Sequence, residues 1–258
     1  MKIDGILKYW HPRPHVFAKF ILFMTVFAIS TAFASPPFLT DGADVTDYQK
    51  YDAYLYSMTD ARPGTIYLQT PAVELDWGFA PNFEVELIAP LVSIIKTGIP
   101  NATGVGDTDI ALGYRFHQET ANTPAMAFIP LISIPTGDVN RYLGNGQMTT
   151  QLPVWFQKSF KNWTIDTGGG YNINHAPNTF NNYFGGFLLQ NQINQKWSLG
   201  GEIFSQGAQT TTQAAYTVLN LGGSYNFTPT LSLLFSAGNS IAGQQNFISY
   251  LGLYWVSS

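Results

Sequence analysis

Between residues 49 and 256, apolar and polar residues alternate with a period of two in runs separated by Gly, Pro, Asn and Asp. That is the pattern of β-strands with two unlike faces. Twelve runs are read, near 49–58, 64–79, 82–95, 106–118, 124–136, 146–160, 162–175, 181–195, 197–208, 214–227, 229–242 and 245–256. The connections alternate in length. On one side they are tight (80–82, 161–162, 195–196, 228–229) or moderately short (117–123). On the other they are longer and rich in Gly, Asn, Thr and Pro (96–105, 137–145, 176–182, 209–213), apart from the brief links 59–63 and 243–244. A soluble sandwich has no reason to gather its long loops at one end, whereas outer-membrane barrels have short periplasmic turns and longer outer loops. The expected fold is all-β, a transmembrane antiparallel up-and-down β-barrel of about twelve strands in the cell outer membrane. No apolar run reaches the length of a membrane-spanning helix.

Alternation assigns each side chain a face. Thr108, Ile110, Leu112, Tyr114 and Phe116 share one face, opposite Asp107, Asp109 and Arg115; Phe83, Val85 and Leu87 oppose Glu84 and Glu86. The same phasing can be applied to nine charged residues: Glu74, Asp76, Glu84, Glu86, Asp107, Asp109, Arg115, Asp166 and Glu202. All nine lie opposite the apolar row, as expected if the apolar row meets lipid. Lys158 shares the outer parity of Phe156 and Phe160, next to a tight turn where it can snorkel to the interface. Trp77, Phe79, Phe83, Phe116, Phe160, Trp163, Trp197, Phe227 and Trp255 gather at the short-turn end, which predicts a periplasmic aromatic girdle.

Ahead of the barrel stands a basic stretch (Lys2, Lys8, Arg13, Lys19), an apolar run from Phe20 to Ile29 and the small-residue site Ala32-Phe33-Ala34 before Ser35. This reads as a secretory signal peptide over residues 1–34, cleaved between Ala34 and Ser35. A periplasmic N-terminal segment is expected over 35–48, and the barrel over 49–258. Charged residues are 11% of the chain against roughly 25% in typical soluble domains, and aromatics are 15%. The leader takes four of the 12 basic and one of the 16 acidic residues, leaving eight against fifteen, a formal net charge of −7. No basic stripe exists to neutralise phosphates, which excludes nucleic acid as a partner. Cysteine is absent, and with it disulfide and thiolate chemistry.

The candidate functional feature is the inward acidic set. Glu74 and Asp76 precede a tight turn and Glu84 and Glu86 follow it, so four carboxylates are expected to crowd one patch of lumen within reach of Arg115. One reading is a charged constriction; the other is a structural network filling a narrow bore. Asp107 and Asp109 beside Gly104 and Gly106 raise a calcium site, but turn capping by Asp is the preferred reading. By the same reasoning Pro135-Thr136-Gly137-Asp138 is turn chemistry, a loop folded into the mouth being the lesser alternative. Only His117 and His175 remain after cleavage, at opposite ends, and no nucleophile shares a face with either. No enzyme, cofactor or metal site is expected.

Further motifs fall in a familiar order: Pro36-Pro37-Phe38-Leu39-Thr40-Asp41, Gly104-Val105-Gly106-Asp107-Thr108-Asp109 running on to Phe116, Ile134-Pro135-Thr136-Gly137-Asp138, Leu152-Pro153-Val154-Trp155-Phe156-Gln157-Lys158-Ser159-Phe160, Gly168-Gly169-Gly170-Tyr171 and Leu199-Gly200-Gly201-Glu202. This set resembles the outer-membrane transporter-like MetA-pathway of phenol degradation family, across nearly all of the chain after the leader. The resemblance implies an outer-membrane barrel acting as channel or transporter, and its name alone suggests small aromatic or hydrophobic cargo. The expected partners are outer-membrane lipid, a small-molecule solute, and the barrel-assembly machinery through a C-terminal strand ending at Trp255. The functional expectation is passage of small solutes; the alternative is a largely plugged structural or surface-interaction barrel.

Overall fold

The computed structural model describes residues 36–257; the expected leader and its cleavage site lie outside them. Among the described residues there are fourteen strands: β1 (Tyr51–Arg62), β2 (Thr65–Ala80), β3 (Phe83–Lys96), β4 (Ala102–Val105), β5 (Thr108–His117), β6 (Ala125–Phe128), β7 (Leu131–Ile134), β8 (Thr149–Phe160), β9 (Trp163–Asn174), β10 (Asn182–Gln192), β11 (Trp197–Gln206), β12 (Tyr216–Thr228), β13 (Leu231–Gly243) and β14 (Phe247–Val256). β4 and β5 both pair with β3, and β6 and β7 both pair with β5 and β8. Each duo is therefore one wall strand with a break. The breaks fall at Gly106-Asp107 and at Ile129-Pro130, where proline has no N–H for the ladder. Hydrogen bonds from Gly106 N to Pro90 O (2.9 Å) and from Leu112 N to Pro130 O (3.0 Å) carry the sheet across them.

The wall thus has twelve strands, and it is closed: β1 pairs antiparallel with β14 from Asp52↔Val256 to Ala61↔Phe247. Closure removes the unpaired edge that hydrocarbon cannot solvate. Among the described residues no helix is long and apolar enough to cross a membrane; the crossing is made by strands. Leu75, Leu112, Ile203, Leu221 and Leu251 stand exposed on the outer face, while Glu202 and Asp166, at 0% exposure, are enclosed. All nine phased charges point inward.

At the short-turn end the rings form the expected girdle. Tyr51, Trp77, Phe79, Phe83, Tyr114 and Phe116 follow one another with centroids 4.3–6.4 Å apart. On the far side Trp197, Tyr225 and Phe227 make a second run. Lys158 Nζ reaches the short turn, donating to Glu119 Oε1 (2.8 Å) and Thr120 O (2.6 Å).

Three expectations are corrected. The connection drawn over 96–105 is shorter, because Ala102–Val105 pairs with Leu91–Ile94 and extends the wall. Of the segment expected in the periplasm, the described residues 36–48 run inside the barrel: Phe38 is buried with Leu188, and Ala43 with Ala111, Ala127 and Trp155. The third concerns the loop of residues 135–148, which folds into the mouth. Its Leu143 is 1% exposed, against Val92, Ile94 and Ala102 on the inner wall. In both of the last two cases burial is the cause: the bore offers apolar inner surface that water would otherwise wet.

An outward charge at mid-wall is expected to cost far more than one at the girdle. Leu221→Arg should destabilise the folded barrel by about 2–4 kcal/mol and Phe227→Arg by about 0–1 kcal/mol, measured by urea titration in lipid vesicles; equal costs would contradict the assigned lipid face.

Candidate lumen site

The inner wall between β1 and β5 carries a concentration of carboxylates that follows from register. Asp52 faces Asp76 across β1 and β2, and Asp76 faces Glu86 across β2 and β3. Glu74 lies two residues along the same inward row, and Glu84 two residues from Glu86. Glu74, Asp76 and Glu84 are buried, and carboxylate oxygens of Glu74, Asp76 and Glu86 lie within 4.8 Å of one another. Those three could hold a hard cation, which takes six to eight oxygen ligands in proteins that bind calcium. Asp41 and Asp44, from the segment ahead of β1, line the same small cavity of about 60 Å³.

Residues 36–49 cross the bore and are held mainly by acceptors on the wall. Glu202 accepts from Leu39 N (2.9 Å) and Thr40 N (2.7 Å), and its Oε1 also accepts from Asn220 Nδ2 (2.8 Å). Asn220 Nδ2 donates as well to Ser236 Oγ (3.3 Å), which in turn donates to Pro37 O (2.6 Å). At the other end of the segment Glu84 Oε2 accepts from Thr46 N (2.7 Å), and Asp52 Oδ2 accepts from Thr46 Oγ1 (3.3 Å) and Tyr254 OH (3.1 Å). Gly186 makes room for the crossing, since a Cβ there would overlap Thr40 Oγ1. The segment has no ladder of its own through this stretch, so inward carboxylates take the place of a neighbouring strand for its amides.

The nine predicted residues therefore separate. Glu74, Asp76, Glu84 and Glu86 form one patch as expected. Arg115 does not pair with them; its Nη1 lies 3.3 Å from Asp44 Oδ1 and its Nη2 donates to Asn82 Oδ1 (3.4 Å). Asp107 does not cap its own turn but binds the long loop, accepting from Gly137 N (3.0 Å) and Asn145 N (2.7 Å). Asp109 faces Ser133 across the ladder. Asp166, on the far wall, sits opposite Gln157 and Leu188. Glu202 is the clamp for the segment. Asp41, Asp44 and Asp52 were not singled out. Asp52 was legible, because it shares parity with Tyr54 and Tyr56, whose rings face inward and stack on Tyr254 and Tyr250 at 4.5 and 5.0 Å.

His117 Nε2 lies 2.7 Å from Thr123 Oγ1. The arrangement is that of a turn: Thr120 Oγ1 bonds Thr123 Oγ1 (2.6 Å) and accepts from the backbone N–H of Asn122 and Thr123. It sits in an exposed connection.

Above the carboxylates, a cavity of about 180 Å³ near the long loops is lined by neutral amides and hydroxyls, including Asn145, Thr149, Gln151, Asn172 and Asn182. Bonds to charged groups contribute about 1.5–3 kcal/mol each. Glu202→Ala is therefore expected to speed exchange of the Leu39 and Thr40 amides by about 10- to 100-fold, followed by mass spectrometry on the folded barrel. Unchanged protection would show that the clamp lies elsewhere.

The fold is similar to that of the COG4313 outer membrane channel from Pseudomonas putida F1, with a TM-score of 0.68 at 14% identity, covering 87% of this chain and 100% of that one. It is also similar to the KdgM porin in complex with disordered oligogalacturonate (TM-score 0.54, 9% identity, 80% and 99% coverage) and to the NanC porin (0.55, 8%, 79% and 98%). No curated protein matches the chain. The family model described as Putative MetA-pathway of phenol degradation matches residues 79–256, and the chain belongs to that family.

Proposed function

We propose that this barrel is an outer-membrane channel for small solutes, held closed by its own residues 36–49 and by the loop 135–148. The observation that carries the reading is how the segment is fastened. Between Pro37 and Thr46 its hydrogen bonds to the wall run to side chains, chiefly Glu202 and Glu84, and no ladder bond of the barrel has to break for it to leave. A plug serving only to stabilise the barrel gains nothing from such detachable fastening.

The solute class follows from what the path presents. The outer cavity offers neutral donors and acceptors, the tyrosine pairs offer ring faces, and the carboxylates below repel anions. Small neutral or cationic solutes fit this order. A neutral aromatic bearing a hydroxyl uses all three features, in keeping with the family's name.

Planar-bilayer recording tests the reading. Deletion of residues 36–46 is expected to raise conductance by about tenfold or more over the intact mature chain, the ratio set by a closing free energy of about 1.4 kcal/mol. Glu84→Gln with Glu86→Gln in that background should lower the preference for potassium over chloride. A deletion barrel that keeps its heat-sensitive folded migration yet passes no ions or solute would refute the channel.

A further inference from the structure

The acidic cavity holds too much charge of one sign for its surroundings. Seven carboxylates line about 60 Å³: Asp52, Glu74, Asp76, Glu84 and Glu86 on the wall from β1 to β3, and Asp41 and Asp44 on the crossing segment. Arg115 reaches this set through Asp44, while Arg62 and Lys158 pair elsewhere, on Asp60 and Glu119. A carboxylate withdrawn from water is unfavourable unless a positive group or hydrogen-bond donors compensate it. Donors compensate part of the set: Thr46 N serves Glu84 Oε2, and Thr46 Oγ1 and Tyr254 OH serve Asp52 Oδ2.

Two oxygens are left over. Asp76 Oδ1 and Asp52 Oδ1 accept no hydrogen bond, their residues are 6% and 8% exposed, and both residues line the cavity. Register sets them in one row, since Asp52 faces Asp76 across β1 and β2, and Asp76 faces Glu86 across β2 and β3. One carboxylate oxygen from each of Glu74, Asp76 and Glu86 lies within 4.8 Å of the other two. Oxygens on one calcium ion sit 2.3–2.6 Å from it and so are at most about 5 Å apart, whereas magnesium draws its oxygens to within about 4.2 Å of one another. The trio falls inside the calcium limit as it stands. A water molecule would fill the space but bring no charge, and a divalent ion answers the unpartnered oxygens and the excess charge together.

We propose that the cavity is a calcium site in which Glu74, Asp76 and Glu86 supply carboxylate oxygens from β2 and β3, and Asp52 Oδ1 supplies one from β1. Its volume is about twice the ~30 Å³ share of one water molecule, room for the ion and a bound water. Bidentate carboxylates then complete the six to eight oxygens that calcium takes. Asp41 and Asp44 line the same space, so the ion draws the crossing segment to a wall whose charge would otherwise repel it. Calcium is thereby a second fastening for the segment, besides the Glu202 clamp on β11. The site is independent of solute passage; its role as a latch rests on the reading of residues 36–49 as closing the bore.

The test uses the folded barrel in a non-ionic detergent, stripped with a chelator and free of anionic lipid, which binds calcium itself. Calorimetric titration with calcium chloride in potassium chloride buffer is expected to show one ion per chain, bound about tenfold or more tightly than magnesium. Glu74→Gln with Asp76→Asn should weaken binding about tenfold or more, whereas Asp138→Asn, on an exposed loop, should leave it unchanged. Should the double variant not fold, terbium emission sensitised by Tyr54, which lines the cavity, reads the site in the unaltered chain, and calcium should quench it by displacement. Removing calcium should also speed exchange of the Thr46 amide about tenfold or more. Lack of stoichiometric uptake, equal uptake of magnesium, terbium emission that calcium leaves unchanged, or binding that survives the double substitution overturns the site; calcium that binds without slowing Thr46 exchange overturns the latch. A barrel that binds calcium yet passes no solute refutes the channel and leaves the site standing.

Discussion

The structure depends on one constraint: in hydrocarbon every backbone N–H and C=O must be paired within the protein, so the sheet has to close on itself. The seam between β1 and β14 meets that demand, and the two-residue period of the strands does the rest. Once the wall is closed, every apolar side chain on one parity faces lipid and every charge on the other is committed to a narrow bore. A bore twelve strands around, lined by Glu74, Asp76, Glu84, Glu86, Asp166 and Glu202, cannot be left dry without partners for those groups. The crossing of residues 36–49 answers this, because an extended chain carries unpaired amides. Thr40 N on Glu202 and Thr46 N on Glu84 satisfy donor and acceptor together.

The wall was legible in the sequence and its contents were not. Strand positions, the inward parity of all nine charges and the ring of Trp77, Phe79, Phe83 and Phe116 follow from alternation and turn residues, which act locally. The entry of the N-terminal segment does not, because Pro36 to Lys50 has no period to read and its fastening depends on residues up to 199 positions away, as between Pro37 and Ser236. The loop 135–148 shows the same limit. Asp107, expected to cap its own turn, instead accepts from Gly137 N and Asn145 N of this loop, and nothing near Leu143 reveals that Gly104 leaves space for that side chain on the inner wall. Arg115 was placed on the right face but given the wrong partner, since Asp44 reaches it first from a segment thought to lie outside.

The carboxylates turn out to have divided tasks. Glu202 and Glu84 hold main chain, Asp107 holds a loop, and Asp52 joins Thr46 to Tyr254. Glu74, Asp76 and Glu86 bring their carboxylate oxygens within 4.8 Å of one another. A uniform acidic lining would act only as a filter, whereas this one distributes fasteners along the bore and gathers Glu74, Asp76 and Glu86 in one group.

The filling of the bore is covalently continuous with the strand that makes the seam, Tyr51 following Lys50 directly. The hand that zips the coat is therefore the same hand that goes into the pocket. Circularly permuting the chain, with new ends in an outer loop, would uncouple the two acts.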